Sequence, residues 1–444
     1  MSEYKFVEKP FLDQLKQLDW NVIDQGQAYP TDPAMSLRSN FREVFIRERF
    51  FDNVRSINVT ESGEQWLSDK QLEEVFQEVS GHTTGSLIEI NEAVQKLLYR
   101  AQVDENELTG EQYPNVKLID FENPTSNDFL AVNQFRIDTP GCVKTCIIPD
   151  IVLFVNGIPL VVVEAKDINQ VESNPMYEAF RQLMRYSGQR KETKEAGLRE
   201  GEPKLFHPNQ FIIRTCGEKC EFGTVTATEE EYFNPWRDVY PEEYRIYERP
   251  LGKERQQELL IQGMLPKTTF LDIIRSCTVF MDVGKNRAKI VCRYQQYRAM
   301  LKIIDRLRKG QTPTERSGVI WHTQGSGKSL TMVFVIRKLR MCDDLKDFKV
   351  CLINDRRDLE EQLGGTAKLT GEKVTYISST DDLKEKLASD ASNLNMVMVH
   401  KFNEVQNKDV PDYLESALEI PKYESFGVVN SSERIVLMLS LIHI

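Results

Sequence analysis

Apolar residues recur at helical spacing in three early segments, Phe11 to Leu18, Leu37 to Val54 and Gly85 to Ala101, which predicts three helices with one face turned to a core. From about Gln134 to Glu164 the pattern changes to short β-rich runs broken by turn residues. Helical spacing returns over Met176 to Tyr186, and Gln210 to Thr215 reads as a further strand. An acidic, aromatic stretch from Glu229 to Glu248, interrupted by Pro235 and Pro241, marks a boundary, and beyond it Arg255 to Arg308 reads as mostly helical. From Gly318 onward strands (Gly318 to Trp321, Lys349 to Asn354, Asn395 to Val399) alternate with helices (Ser329 to Arg340, Leu359 to Leu363), the signature of a parallel α/β sheet. The expected architecture is α/β in two domains, residues 1–245 and 246–444.

The most informative local pattern is Pro149-Asp150, an apolar run, Asn156-Gly157, a second apolar run and Glu164-Ala165-Lys166. Two apolar runs joined at Asn-Gly predict a hairpin buried on both faces, where charges at the strand ends are costly without partners or a role. Two carboxylates beside an ammonium suit phosphodiester hydrolysis: the acids hold a hard ion such as Mg²⁺ while the amine orients water and offsets phosphate charge. A two-residue turn would pair Val155 with Ile158 and Asp150 with Val163, sending Glu164 to the opposite face. The chemistry therefore requires a three-residue turn of Val155, Asn156 and Gly157, or an equivalent bulge elsewhere in the hairpin. On the helix that follows, Gln182 and Tyr186 are four residues apart and share one side.

Downstream, His322-Thr323-Gln324-Gly325-Ser326-Gly327-Lys328-Ser329 follows an apolar run and opens a helix. Such a loop surrounds an anion with backbone N–H groups, puts Lys328 on the β- and γ-phosphates of ATP and Ser329 on its Mg²⁺. His322 stands where the usual loop has its first Gly.

The net charge of −11 does not by itself support DNA binding, which depends on local cations. One segment is locally basic: Lys285, Arg287, Lys289, Arg293, Arg298, Lys302, Arg306, Arg308 and Lys309 are opposed only by Asp305, and it reads either as a DNA contact or as a solvated helix face. Eight cysteines do not make a disulfide scaffold in a chain of 444 residues. Two CxxxC pairs, Cys142/Cys146 and Cys216/Cys220, could offer four thiolates to zinc, but the expectation is small buried side chains on strands. No stretch approaches the run of about 18 apolar residues that crosses a bilayer, and the N-terminus has no signal-peptide pattern, so a cytoplasmic protein is expected.

Asp150, Glu164 and Lys166 resemble the PD-(D/E)xK nuclease motif, and Gln182 with Tyr186 resembles the QxxxY element beside it in RecB-like nucleases and restriction subunits. The loop from Thr323 resembles that of superfamily 2 helicases, with Gln296 matching their adenine-reading Q element, Asn354 to Leu359 with Gln362 their motif Ia, and His400-Lys401-Phe402 the next DNA-contacting motif. Over about Leu15 to Leu437 the chain resembles the restriction (R, HsdR-type) subunit of type I restriction-modification enzymes. The resemblance implies a PD-(D/E)xK nuclease domain followed by a RecA-like motor domain, Mg²⁺ and ATP as cofactors, and a type I site-specific deoxyribonuclease. It further implies translocation of duplex DNA beside methyltransferase (M) and specificity (S) subunits, with no membrane.

The Asp-Glu-Ala-His element that such a motor uses to activate water does not occur in the sequence. The segment Glu433 to Leu437, expected to lead into it, runs instead into Leu439 to Ile444, which also reads as one frame of a sequencing-library adapter. The expectations are that the last residues are foreign to the family and that this stretch of chain turns over little ATP. Two other readings are a stand-alone repair nuclease-helicase and a non-catalytic ATP-binding or assembly module.

Overall fold

The computed structural model describes residues 3–168, 174–241, 255–323, 325–355, 363–402 and 427–440. They form two compact units, Met1–Tyr294 and Gln295–Ile444.

The first unit is built on a mixed sheet of seven strands among the described residues: β1 (Asn21–Ile23), β2 (Phe129–Asn133), β3 (Ile151–Val155), β4 (Ile158–Ala165), β5 (Phe211–Thr215), β6 (Cys220–Gly223) and β7 (Asn234–Pro235), lying side by side in chain order. β1 runs parallel to β2 and β4 to β5, and the other neighbours are antiparallel. Every residue of β3 and β4 is buried, as expected of strands apolar on both faces. The helix α1 (Lys9–Gln17), entered through a π-helical turn at Tyr4–Glu8, buries Phe11, Leu12 and Leu15. The helix α2 (Arg47–Ile57) begins ten residues later than the periodicity suggests, because residues 37–46 form turns rather than helix. Two further helices, α3 (Asp69–Ser80) and α4 (Leu87–Arg100), start at Ser68 and Ser86, each closing a capping box that satisfies otherwise orphaned backbone donors. The helix α5 (Pro175–Tyr186) packs on β4 and β5.

The β3–β4 hairpin departs from the expected turn. Val155 pairs with Ile158, so the turn has two residues, Asn156 and Gly157, both left-handed at φ 48° and 74°. Phase is corrected inside the ladder instead: Leu153 pairs with Val161 while Phe154 pairs with Pro159, leaving Leu160 as the extra residue of a bulge. Proline fits there because a bulge releases its strand from donating an N–H. The turn is locked from outside. Asn156 Nδ2 donates to the Leu118 carbonyl and to Asn127 Oδ1, each at 2.9 Å, and the Ile46 N–H donates to the Gly157 carbonyl at 3.0 Å.

Residues 255–294 pack on the first unit, so the division in packing falls later than the 245/246 boundary expected from composition. The helices α6 (Gln256–Met264) and α7 (Lys267–Cys277) contribute apolar surface, Trp20 meeting the Phe270 ring edge-on at 5.6 Å and donating to the Leu265 carbonyl at 3.0 Å. A stretch expected to be helical is a hairpin, β8 (Thr278–Val283) and β9 (Asn286–Val291), turning at residues 284–285. Two of its basic residues, Arg287 and Lys289, are engaged internally. Arg287 forks onto Glu92 at 2.8 and 2.9 Å, and the buried Lys289 ammonium donates to Asn91 Oδ1, the Asn209 carbonyl and Gln210 Oε1 at 2.7–3.1 Å. Farther along, Arg308 pairs with Asp344 and Lys309 with Asp305, so several members of the basic run are engaged within the protein.

The second unit carries α8 (Tyr294–Lys309), α9 (Lys328–Met341), β10 (Lys349–Asn354), β11 (Val374–Tyr376), α10 (Thr380–Ala388), β12 (Leu394–Met398) and β13 (Ile435–Leu439). The strands form a parallel sheet in the order β11-β12-β10-β13. The strand expected at Gly318 to Trp321 is not formed: residues 317–323 pair with no strand among the described residues, and Val319 and Trp321 are 90% and 80% exposed. β propensity without a neighbouring backbone does not make a strand. The helix expected at Leu359 to Leu363, the motif of Asn354 to Leu359 with Gln362 from residue 356 on, Gln324, the end of the boundary stretch Glu229 to Glu248 from residue 242 on, and Leu441 to Ile444 lie wholly or largely outside the described residues.

Candidate active site

The bulge decides which side chains meet. Ile151 lies opposite Val163, so Asp150 lies opposite Glu164 across the open end of the β3–β4 ladder, and the two carboxylates share a face. Asp150 is 6%, Glu164 1% and Lys166 7% exposed. Asp150 Oδ2 accepts from the Ala165 N–H at 2.8 Å, and Lys166 Nζ donates to Glu164 Oε1 at 2.8 Å while standing 3.6 Å from Asp150 Oδ2. Burial pushes both carboxyl pKa values up, and for Asp150 the charge of Glu164 adds to the rise. Burial alone would discharge Lys166, but Glu164, Asp150 and Glu3 outweigh it and hold the ammonium charged.

Two acids at this site escape sequence reading. Glu3 Oε1 lies 3.3 Å from Lys166 Nζ, and Glu8, 2% exposed, accepts from Gln134 Nε2 at 3.0 Å. Oxygens of Glu3, Glu8 and Asp150 lie within 4.8 Å of one another, the one such set of three potential metal ligands among the described residues. Burial, with the charge of Asp150, pushes the Glu8 pKa up to about 8. One signal could have found it: Glu8, Phe11, Leu12 and Leu15 follow the i, i+3, i+4, i+7 pattern, so an acid occupies the apolar stripe that leads into α1.

The Gln182 and Tyr186 side chains meet, as their spacing requires. The buried Tyr186 hydroxyl lies 2.9 Å from Gln182 Oε1 and 3.1 Å from the Ile148 carbonyl oxygen, which braces the chain two residues before Asp150. Burial and then the charges of Glu164 and Asp150 raise the Tyr186 pKa, keeping the phenol protonated as a donor.

In the second unit Gly325 and Gly327 are left-handed, at φ 78° and 81°, and α9 starts at Lys328 with Ser329 in its first turn. The buried Gln296 amide donates to the Gly327 carbonyl at 3.0 Å, so the glutamine sits directly on the loop. Thr323 ends the unpaired stretch, and Ser326 Oγ and His322 Nδ1 are buried without a hydrogen-bond partner. Burial and then the Lys328 charge lower the His322 pKa, favouring neutral imidazole. His400, Lys401 and Phe402 form a 3₁₀ turn after β12, with Lys401 Nζ donating to the Ser378 carbonyl at 2.6 Å. Cys216 and Cys220 are buried at the β5–β6 connection, while Cys142 and Cys146 are half-buried.

The first unit thus sets paired carboxylates and a lysine at the end of a sheet, and the second sets a glycine-rich loop at the start of a helix. The family model for the N terminus of type I restriction enzyme R proteins matches residues 1–231, and that for the SWI2/SNF2 ATPase matches residues 295–443. The chain belongs to the type I restriction enzyme R protein family. It is 30% identical over 393 residues to the HindI type I restriction enzyme endonuclease subunit of Haemophilus influenzae, covering 86% of this chain and 34% of that protein. It is 25% identical over 381 residues to the SauCOLORF180P endonuclease subunit of Staphylococcus aureus, covering 81% of this chain and 32% of that one. The chain thus spans about a third of the length of the curated relatives it matches. No helix among the described residues is long and apolar enough to cross a membrane.

Proposed function

We propose that this chain carries the PD-(D/E)xK nuclease and the first RecA-like motor portion of an ATP-dependent type I restriction endonuclease, cutting duplex DNA with Mg²⁺. One observation carries the reading: Asp150 and Glu164 face each other at a strand mouth with Lys166 between them, all three buried, and Glu164 Oε2 has no hydrogen-bond partner. Buried like charges with an orphaned oxygen are costly in a merely structural site, and a divalent cation resolves both. The donor set is all carboxylate, which suits a hard ion.

In this reading Asp150 and Glu164 hold Mg²⁺, with Glu8 and Glu3 beside them. The ion, when bound, supplies Lewis acidity toward the phosphodiester and toward a water molecule. Lys166, held charged, offsets the anionic phosphate and orients water. Tyr186 and Gln182 fix the backbone that presents Asp150. In the second unit Thr323, Gln324, Gly325, Ser326 and Gly327 cradle ATP phosphates, Lys328 pairs with them, Ser329 reaches their Mg²⁺, and Gln296 reads adenine from its place on the loop. Methyltransferase and specificity subunits supply sequence recognition, and the protein works in the cytoplasm on duplex DNA.

The test is Mg²⁺-dependent nicking of supercoiled plasmid by the purified protein and by Asp150→Ala and Lys166→Ala. Activity in the parent and background rates in both variants are expected. Undiminished nicking by either variant would remove that residue from the catalytic set.

A further inference from the structure

We infer that Arg185, flanked by Lys144 and Arg199, forms a phosphate-binding rim that seats the DNA backbone beside the cleavage site. The inference rests on the nuclease reading and adds three residues to it. The need for such a rim follows from charge. Three carboxylates, Glu3, Asp150 and Glu164, converge on one ammonium with Glu8 beside them, so a polyanion approaches a site that repels it unless further cations stand nearby.

Three backbone segments meet at the end of α5, where Tyr186 reaches back to the chain before Asp150. The loop 139–145 is tied to residues 199–201 by the Val143 N–H donating to the Arg199 carbonyl at 2.9 Å and by Cys142 Sγ, 3.7 Å from the Gly201 carbonyl. Residues 201–202 are tied to the end of α5 by the Glu202 N–H donating to the Tyr186 carbonyl at 2.8 Å. Gly201 is left-handed there, and a β-carbon on it would collide with the Arg185 and Tyr186 carbonyls, so only glycine allows the approach.

Each segment presents a cation. Lys144 and Arg199 are exposed, and Arg185 is half-buried at the end of α5, next to Tyr186. The Arg185 guanidinium lies over the Tyr186 ring at 4.9 Å and makes a long hydrogen bond of 3.3 Å to Gln182 Oε1, yet its Nε is buried with no acceptor. The acid on the adjoining loop, Glu200, is engaged by Arg190 Nε at 2.8 Å and by Thr193 Oγ1 at 2.8 Å. A half-buried guanidinium pinned by an aromatic face beside Tyr186 matches the planar recognition that phosphate oxygens invite.

The experiment is fluorescence anisotropy of a 20-base-pair duplex with the 444-residue protein in Ca²⁺, across a KCl series, beside plasmid nicking in Mg²⁺. Each phosphate contact contributes about 0.9 to the slope of log K against log salt, so Arg185→Ala should lower that slope by about 0.9 and raise KM for nicking. Arg185→Lys should restore the slope, because charge is what it measures. Lys144→Ala and Arg199→Ala, on exposed loops where folding is not at stake, should each lower it similarly. An unchanged slope in all three alanine variants overturns the rim. So does a lysine variant that fails to restore it, since that outcome assigns Arg185 to bracing Tyr186. A parent protein that never nicks, with slopes that still fall, sinks the nuclease reading and leaves the rim standing.

Discussion

Asp150 and Glu164 sit at the ends of strands whose every residue is buried, whereas Lys328 and Ser329 follow a stretch in which Val319 and Trp321 stand 90% and 80% exposed. The first site is assembled from four elements, the N-terminal turn, β3, β4 and α5, and bonds between segments hold it: Gln134 to Glu8, the Ala165 N–H to Asp150, and the Tyr186 hydroxyl to the Ile148 carbonyl. The second is made almost entirely by local backbone: two left-handed glycines, a helix start and one glutamine resting on the loop. Converging charges in a dry interior need neighbours to hold them, while an anion cradle needs only a short run of N–H groups pointing one way. The two sites should therefore fail independently and for different reasons.

The largest effect should come from substitutions that remove the chemistry from one site. Glu164→Gln is expected to reduce Mg²⁺-dependent nicking to background while ATP affinity is unchanged, and Lys328→Ala to abolish ATP binding without lowering Mg²⁺ affinity at the first site. Calorimetric titration of each ligand on each variant checks both, and any cross-effect breaks the independence.

Next in size are the glycines. Gly157→Ala puts a β-carbon against the Ile46 carbonyl and the Phe50 backbone at a left-handed position, and should cost the first unit about 1–3 kcal/mol in urea unfolding. Gly327→Ala, also left-handed, meets the far end of the Gln296 side chain rather than backbone, and should impair nucleotide binding with a smaller loss of stability. An equal loss of stability in both would show the loop to be as over-determined as the hairpin.

A pH dependence separates the sites further. The Glu8 pKa in the fold is about 8, above that of an ordinary carboxyl, so protonated Glu8 favours the metal-free fold at low pH. That contribution is complete below the ordinary carboxyl range and is lost as pH rises through about 8. Mg²⁺ binding must displace the proton, so affinity should rise by up to about tenfold per pH unit toward that value and then level off. Glu8→Gln should remove the upper inflection, as read by calorimetry across pH, whereas ATP affinity should lack this feature. The smallest effect belongs to Gln296→Ala, which removes a hydrogen bond to the loop and should weaken ATP by no more than about tenfold in equilibrium dialysis.

Much of this was legible along the chain. The hairpin at Asn156-Gly157, the helix at Met176 to Tyr186, the strands near Lys349 and Asn395 and the glycine loop all occur where their patterns place them, because turn chemistry and hydrophobic period act over a few residues. The spacing of Asp150, Glu164 and Lys166 also showed that a bulge was required. Its place at Leu160 rather than at the turn was decided by packing: Gly157 is pressed against Ile46 and Phe50, and Asn156 is tied to Leu118 and Asn127, which leaves the extra residue only the ladder to occupy. The same distinction explains the misread hairpin at Thr278–Val291, whose Lys289 is buried among Asn91, Asn209 and Gln210, and the strand not formed at Gly318 to Trp321. Glu3 and Glu8 joined the site for the same reason. By itself the sequence determined the local conformations and the chemistry available at each motif, since these depend on neighbouring residues. Only the tertiary structure decided where the bulge falls, which N-terminal acids join the pair and which cations are engaged internally, because these depend on contacts such as Ile46 with Gly157, Gln134 with Glu8 and Arg287 with Glu92, a hundred or more positions apart.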